Sequence, residues 1–343
     1  MKNTLELYAA REPQHRRTWT LAAIILLIAF FAVGGIAMTL VVKLLDLKTV
    51  FGKGSWPMSF IELVLVFGVA SSAGIAWIKF FERRPLATIG FNNHAAKRYG
   101  RGLLMGFGFI SAVVALIALM GGYQIEATGL WGQFSLGGVL ALLCLFIGFM
   151  IQGATEEIFM RGWLFQLLTS RYGVMIGIVG NMLVFSLLHA GNIKPSIELF
   201  IGLFNIVLVA ILLSLYALKE GSLWGVCAWH SAWNWLLGVG FGLEVSGQSL
   251  KVVPLLIDLK NAPNTSVWLN GGAFGPEASL VTSVVLLAGI VYFIKLKGHG
   301  QVFDVPNSLT DPAGENNSSP QDADDLAATM MSTEDRQVHQ TPH

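Results

Sequence analysis

Three ionisable residues within six positions, Glu156, Glu157 and Arg161, interrupt a long apolar stretch. The flanks, residues 136–152 and 163–168, are almost wholly apolar. Charge at bilayer depth costs roughly 2.5–3.5 kcal/mol per group on insertion scales, so such a cluster points to a function that uses it. Glu157 and Arg161 are four apart, the spacing of an intrahelical ion pair that would reduce the arginine's cost. Glu156 and Glu157 project about 100° apart on a helix and are expected to face different partners. Glu156 is then left for a polar cavity, where it could act as a general base on water.

Of seven histidines, only His189 and His230 fall in apolar runs. His189 closes Phe185-Ser-Leu-Leu-His189, and His230 opens His230-Ser-Ala-Trp-Asn234. His230 and Asn234 share one helical face and can hold a water, a metal ion or a carbonyl oxygen between them. Each residue has a structural reading as well. An intramembrane His or Asn can simply bond a neighbouring helix, and Glu157–Arg161 reads first as a structural pair. That reading weakens when a carboxylate, two imidazoles and an amide lie on three different apolar helices.

Composition states what must position them. Charged residues make up only 13% of the chain and hydrophobic residues 54%, against about 25% charged in soluble domains. This is the composition of an all-α, polytopic membrane helix bundle; the net charge of +1 is uninformative, because the charges are segregated along the chain, and no nucleic-acid partner is expected. Cys144 and Cys227 lie in apolar runs and read as small packing residues. Apolar runs near 18–43, 58–80, 102–121, 135–169, 173–190, 197–218, 223–241 and 277–296 predict about eight transmembrane helices. Segment 1–17 reads as a cytoplasmic N-terminal segment, 18–135 as N-terminal membrane helices, 136–298 as a membrane core and 299–343 as a disordered acidic tail. Segment 242–276 reads as a polar external loop with Trp268 as an interface anchor.

Lys and Arg counts place both termini in the cytoplasm. The loop after the first run runs against this rule, carrying Lys43, Lys48 and Lys53. The fourth run poses a second difficulty. Its 35 residues would span roughly 52 Å as a helix, against a hydrocarbon core about 30 Å thick. It must tilt and overrun, or break near Gly148 or Gly153. Counted from its start, Glu156 lies one full crossing in, whereas His189 lies near the far end of the next helix. The two would meet in a cavity within the membrane only if the fourth helix began nearer Leu145 or were kinked.

Glu-Glu-x-x-x-Arg at 156–161, Phe-x-x-x-His at 185–189 and His-x-x-x-Asn at 230–234 occur in the order found in the CPBP family. That family comprises the type II CAAX prenyl endopeptidases and bacterial relatives linked to bacteriocin processing or self-immunity, and the chain resembles it over roughly residues 140–240. The resemblance implies an intramembrane endopeptidase with Glu156 as catalytic glutamate and His189 as its helper in binding the nucleophilic water. His230 and Asn234 match the pair that polarises the scissile carbonyl and steadies the oxyanion. Glu157 and Arg161 match supporting positions, and Phe185 a packing position.

Two arrangements of the water are compatible with these residues. One divalent metal ion such as zinc could hold it, with Glu156, His189 and His230 as ligands by type, or Glu156 and His189 could hold it directly. The H-E-x-x-H helix of soluble zinc proteases is absent. The implied partners are a membrane-associated protein or peptide substrate and the lipid bilayer; the short N-terminus, the lack of organelle signals and the plain membrane architecture lead to the expectation of a bacterial inner (plasma) membrane. Competing readings are a catalytically silent membrane scaffold or immunity protein and a proton-coupled transporter, the latter opposed by the lack of an inverted repeat.

Overall fold

The computed structural model describes residues 5–296 and 303–304; the acidic tail expected over 299–343 otherwise lies outside the described residues. Eight principal helices occupy the eight apolar runs. These are α1 (Thr20–Leu44), α2 (Trp56–Phe81), α3 (Ala95–Leu119), α4 (Leu136–Tyr172), α5 (Val174–Leu188), α6 (Ile197–Glu220), α7 (Trp224–Trp235, continued by a π turn Leu236–Gly240) and α8 (Leu280–Lys295). Five of them, α1 to α4 and α6, are long and apolar enough to cross a membrane, whereas α5 and α8 are shorter apolar helices. Helix length alone therefore accounts for five crossings. Large apolar side chains cover the outside of the bundle, among them Leu21, Ile25, Ile28 and Ile36 on α1. A contiguous exposed apolar surface of this kind suits lipid rather than water.

A little sheet accompanies the helices. Strands β1 (Leu5–Glu6) and β4 (Phe303–Asp304) pair antiparallel, as do β2 (Tyr123–Thr128) and β3 (Ile257–Asn261). The second ribbon ties the loop after α3 to the long segment before α8, which is more ordered than its polar composition suggested. Trp268 in that segment is exposed. The N-terminal segment is no free polar arm either. Leu7 and Tyr8 are buried, and Tyr8 Oη donates to the Arg161 carbonyl oxygen at 3.0 Å.

Side-chain caps start the helices that matter for the site. Ser135 Oγ accepts from Gly138 N at 3.0 Å to open α4, and Ser196 Oγ accepts from Leu199 N at 3.2 Å to open α6, each satisfying an orphan donor of the first turn. Close approach sets where helices cross. Gly102 and Gly106 on α3 lie against α7, where an added Cβ would stand 2.2 Å from Gly225 O and 2.4 Å from Trp229 O. This is the small-xxx-small contact by which membrane helices pack backbone to backbone.

The over-long fourth helix resolves differently from expectation. It begins at Leu136, not near Leu145, and runs unbroken for 37 residues, about 55 Å. Neither Gly148 nor Gly153 breaks it. Both are contact glycines, with an added Cβ 2.9 Å from Leu63 Cδ1 and 2.8 Å from Ser231 Oγ respectively. The helix changes pitch instead at a π segment, Ile158–Leu164, immediately after Glu157.

Gly173, with φ 91°, then turns the chain directly into α5. Glu156 lies 173 − 156 = 17 residues before that turn and His189 lies 189 − 173 = 16 after it. Glu156 and His189 line one cavity, so α4 and the end of α5 face the same space.

Candidate active site

Glu157 and Arg161 form the expected intrahelical pair, Oε1 to Nη1 at 3.0 Å, with neither side chain exposed to any degree. The arginine's Cζ also stands 4.6 Å above the Phe185 ring. Arg161 Nε and Nη2 have no hydrogen-bond partner, so the ring face supplies part of what the guanidinium lacks. Phe185 does more than pack: it meets the His189 ring edge-on at 4.8 Å and the His230 ring at 6.3 Å.

Glu156 and Glu157 do share a partner, contrary to expectation. His230 Nδ1 lies 2.7 Å from Glu157 Oε1, and its Nε2 lies 3.6 Å from Glu156 Oε2. Two carboxylates 100° apart on one helix can reach the same side chain when it carries polar atoms on opposite edges, as imidazole does. The bond to Glu157 fixes a proton on Nδ1 and aims Nε2 at Glu156.

Gln152, which the sequence reading passed over, completes the network. It stands one turn before Glu156 on α4, and its Nε2 donates to Glu156 Oε1 at 2.6 Å. Its Oε1 accepts from Asn234 Nδ2 at 2.9 Å. The available signal was its i, i+4 spacing from Glu156 within an apolar run. A continuous chain of polar groups therefore runs from Asn234 through Gln152, Glu156 and His230 to Glu157 and Arg161. Glu156 Oε2 is buried and has no hydrogen-bond partner.

His189 caps α5, with Nδ1 2.8 Å from the Phe185 carbonyl oxygen. A carbonyl only accepts, so the proton sits on Nδ1 and Nε2 keeps its lone pair. Glu156, His189, His230 and Asn234 all line one cavity of 1220 Å³. Lys43, Lys48 and Lys53, which ran against the charge rule, line that cavity too.

The donor set fits a metal ion poorly. Among the described residues no three His, Cys, Asp or Glu side chains converge as a ligand group. Glu156 and His230 approach each other, but His230 Nδ1 is committed to Glu157. A structural zinc takes four ligands and a catalytic one three from the protein, more than converge here among the described residues.

The family model for Rce1-like type II CAAX prenyl endopeptidases matches residues 138–236. No curated protein and no solved structure matches the chain. The matched segment covers nearly all of α4 through α7 and contains every residue of the polar network apart from the Tyr8 contact beneath it. Over this segment the chain is similar to the Rce1-like type II CAAX prenyl endopeptidases, which supports the resemblance to the CPBP family.

Proposed function

We propose that the protein is an intramembrane endopeptidase that hydrolyses a peptide bond with water activated by Glu156. The observation that carries this reading is Glu156 Oε2: a buried carboxylate oxygen without a hydrogen-bond partner, 3.6 Å from His230 Nε2, in a cavity it shares with His189. That separation is too long for a direct hydrogen bond, so Oε2 keeps its lone pairs for a water.

In this mechanism a water donates one hydrogen to Glu156 Oε2 and the other to His189 Nε2, leaving a lone pair for the scissile carbonyl carbon. Glu156 takes the proton as the tetrahedral intermediate forms and returns it to the leaving amine. Asn234 is oriented by its bond to Gln152 and keeps a second N–H for the oxyanion. His230 donates to the same oxygen from Nε2 when both its nitrogens carry protons, with Glu157 as its counter-charge. Each such donor contributes roughly 2.7–4 kcal/mol.

The cavity's volume of 1220 Å³ exceeds the usual small-ligand range of about 300–1,000 Å³. It has room for a peptide segment of a membrane-associated substrate. We place all eight helices in the membrane, with both termini cytoplasmic, on the Lys and Arg distribution.

The test compares membrane proteomes of cells carrying the native protein or Glu156→Gln. A protein cleaved only in the native strain, and cleaved again by the purified native protein but not the variant, is the expected result. Equal cleavage by Glu156→Gln would overturn the mechanism.

A further inference from the structure

A third carboxylate, outside the matched segment, joins the two halves of the site. Glu277 lies in the 3-10 turn Pro276–Ala278 before α8 and lines the same cavity. Its Oε1 accepts from Trp233 Nε1 on α7 at 3.0 Å. Trp233 is the neighbour of Asn234 and lies one turn from His230. Its Oε2 accepts from both the backbone N and, at 2.9 Å, the Oγ of Ser246.

Ser246 continues the connection toward α5. Its carbonyl oxygen accepts from Asn192 Nδ2 at 2.9 Å, and Asn192 N donates to the His189 carbonyl oxygen at 3.1 Å. Ser246 also holds φ at 48°, a left-handed conformation uncommon for a serine. Such a residue persists where its surroundings over-determine it, and here three hydrogen bonds do so. The Glu277 backbone is itself fixed, since Asn205 Nδ2 donates to the carbonyls of Glu277 at 2.8 Å and Ser279 at 2.9 Å.

We propose that Glu277 is a positioning residue for hydrolysis, setting the gap between His189 and the helix that carries His230 and Asn234. The proposal rests on the endopeptidase reading for its kinetic consequence and on geometry alone for its structural one. Glu277→Gln keeps the shape but puts an NH₂ group opposite donors that need an acceptor, so at least one of the two arms is released. A misplacement of about 1 Å remote from the chemistry can cost about 100-fold in rate.

The experiment uses the purified full chain in lipid nanodiscs, with Glu277→Gln and, as a second variant acting from the other arm, Asn192→Ala. Each is expected to lower kcat by about 10- to 100-fold with KM changed less than about threefold, while the protein stays monodisperse. In a His189→Ala background neither change should lower residual activity further, because the group they position is gone. The same fold loss in both backgrounds would mean a general structural role and would overturn the proposal.

A cleavage-independent arm separates this proposal from the endopeptidase reading. Acylation of His189 by diethyl pyrocarbonate, followed by mass spectrometry, should be several-fold faster in Glu277→Gln than in the native protein. An unchanged rate overturns the positioning role even if cleavage is real. A changed rate in a protein that cleaves nothing sustains the positioning role and sinks only the endopeptidase reading.

Discussion

Glu156→Gln and Glu157→Gln are neighbouring, isosteric substitutions, and the structure assigns them opposite consequences. Glu157 is wholly buried and accepts from Arg161 at 3.0 Å and from His230 at 2.7 Å. Neutralising it leaves an arginine, itself wholly buried, with no counter-charge. Its Nε and Nη2 are already without partners. Breaking a buried pair from one side costs about 3–5 kcal/mol.

Glu156 has no hydrogen-bonded cation to strand, since His230 stands 3.6 Å away and keeps Glu157 as its counter-charge. Its Oε1 accepts only from the Gln152 amide, and its Oε2 accepts from nothing. Glu156→Gln should therefore change stability by less than about 1 kcal/mol while abolishing cleavage. At roughly 2–4 °C per kcal/mol, Glu157→Gln should unfold about 6–20 °C below the native protein and Glu156→Gln within about 4 °C of it. Tryptophan fluorescence in detergent reads both, at one matched scan rate because membrane-protein unfolding is commonly irreversible. The double variant Glu157→Gln/Arg161→Met should recover most of the lost stability, since removing both buried polar partners is close to neutral. A Glu156→Gln protein that loses as much stability as Glu157→Gln would refute the division of labour between the two glutamates.

Asn234→Ala should lower kcat by about 10²–10³-fold, the loss expected for one oxyanion donor, and single-turnover kinetics on an identified substrate would check it. Gly102→Val should destabilise the bundle by at least about 1–3 kcal/mol, because a Cβ there collides with the Gly225 carbonyl; an unchanged unfolding temperature would show that α3 and α7 do not pack backbone to backbone. Cleavage should survive chelator treatment that strips all detectable metal, and loss of activity restored by added zinc would replace the directly held water with a metal-bound one.

Much of the architecture was legible because a membrane forces it. With no water to satisfy backbone groups, each apolar run becomes a helix, and all eight runs hold one at nearly the expected positions. The Glu157–Arg161 pair was equally legible, since i, i+4 contacts follow from helix geometry alone. The three spaced motifs marked the segment that the family model matches.

What the one-dimensional pattern could not supply was relative height and facing. Run length suggested a break near Gly148 or Gly153, whereas the helix runs on through both, each in close contact with a neighbouring helix. The turn at Gly173 leads straight into α5, and Glu156 and His189 line one cavity. Likewise, His230 bridging two glutamates, Gln152 joining Asn234 to Glu156, and Glu277 reaching both α7 and the His189 turn are contacts between helices distant in sequence. Sequence alone determined which segments are helices and which charges pair within one, because both are short-range consequences of backbone geometry. Only the tertiary structure decided which helices meet, at what height and through which edges, because glycine contacts and turn positions act between segments that no local spacing connects.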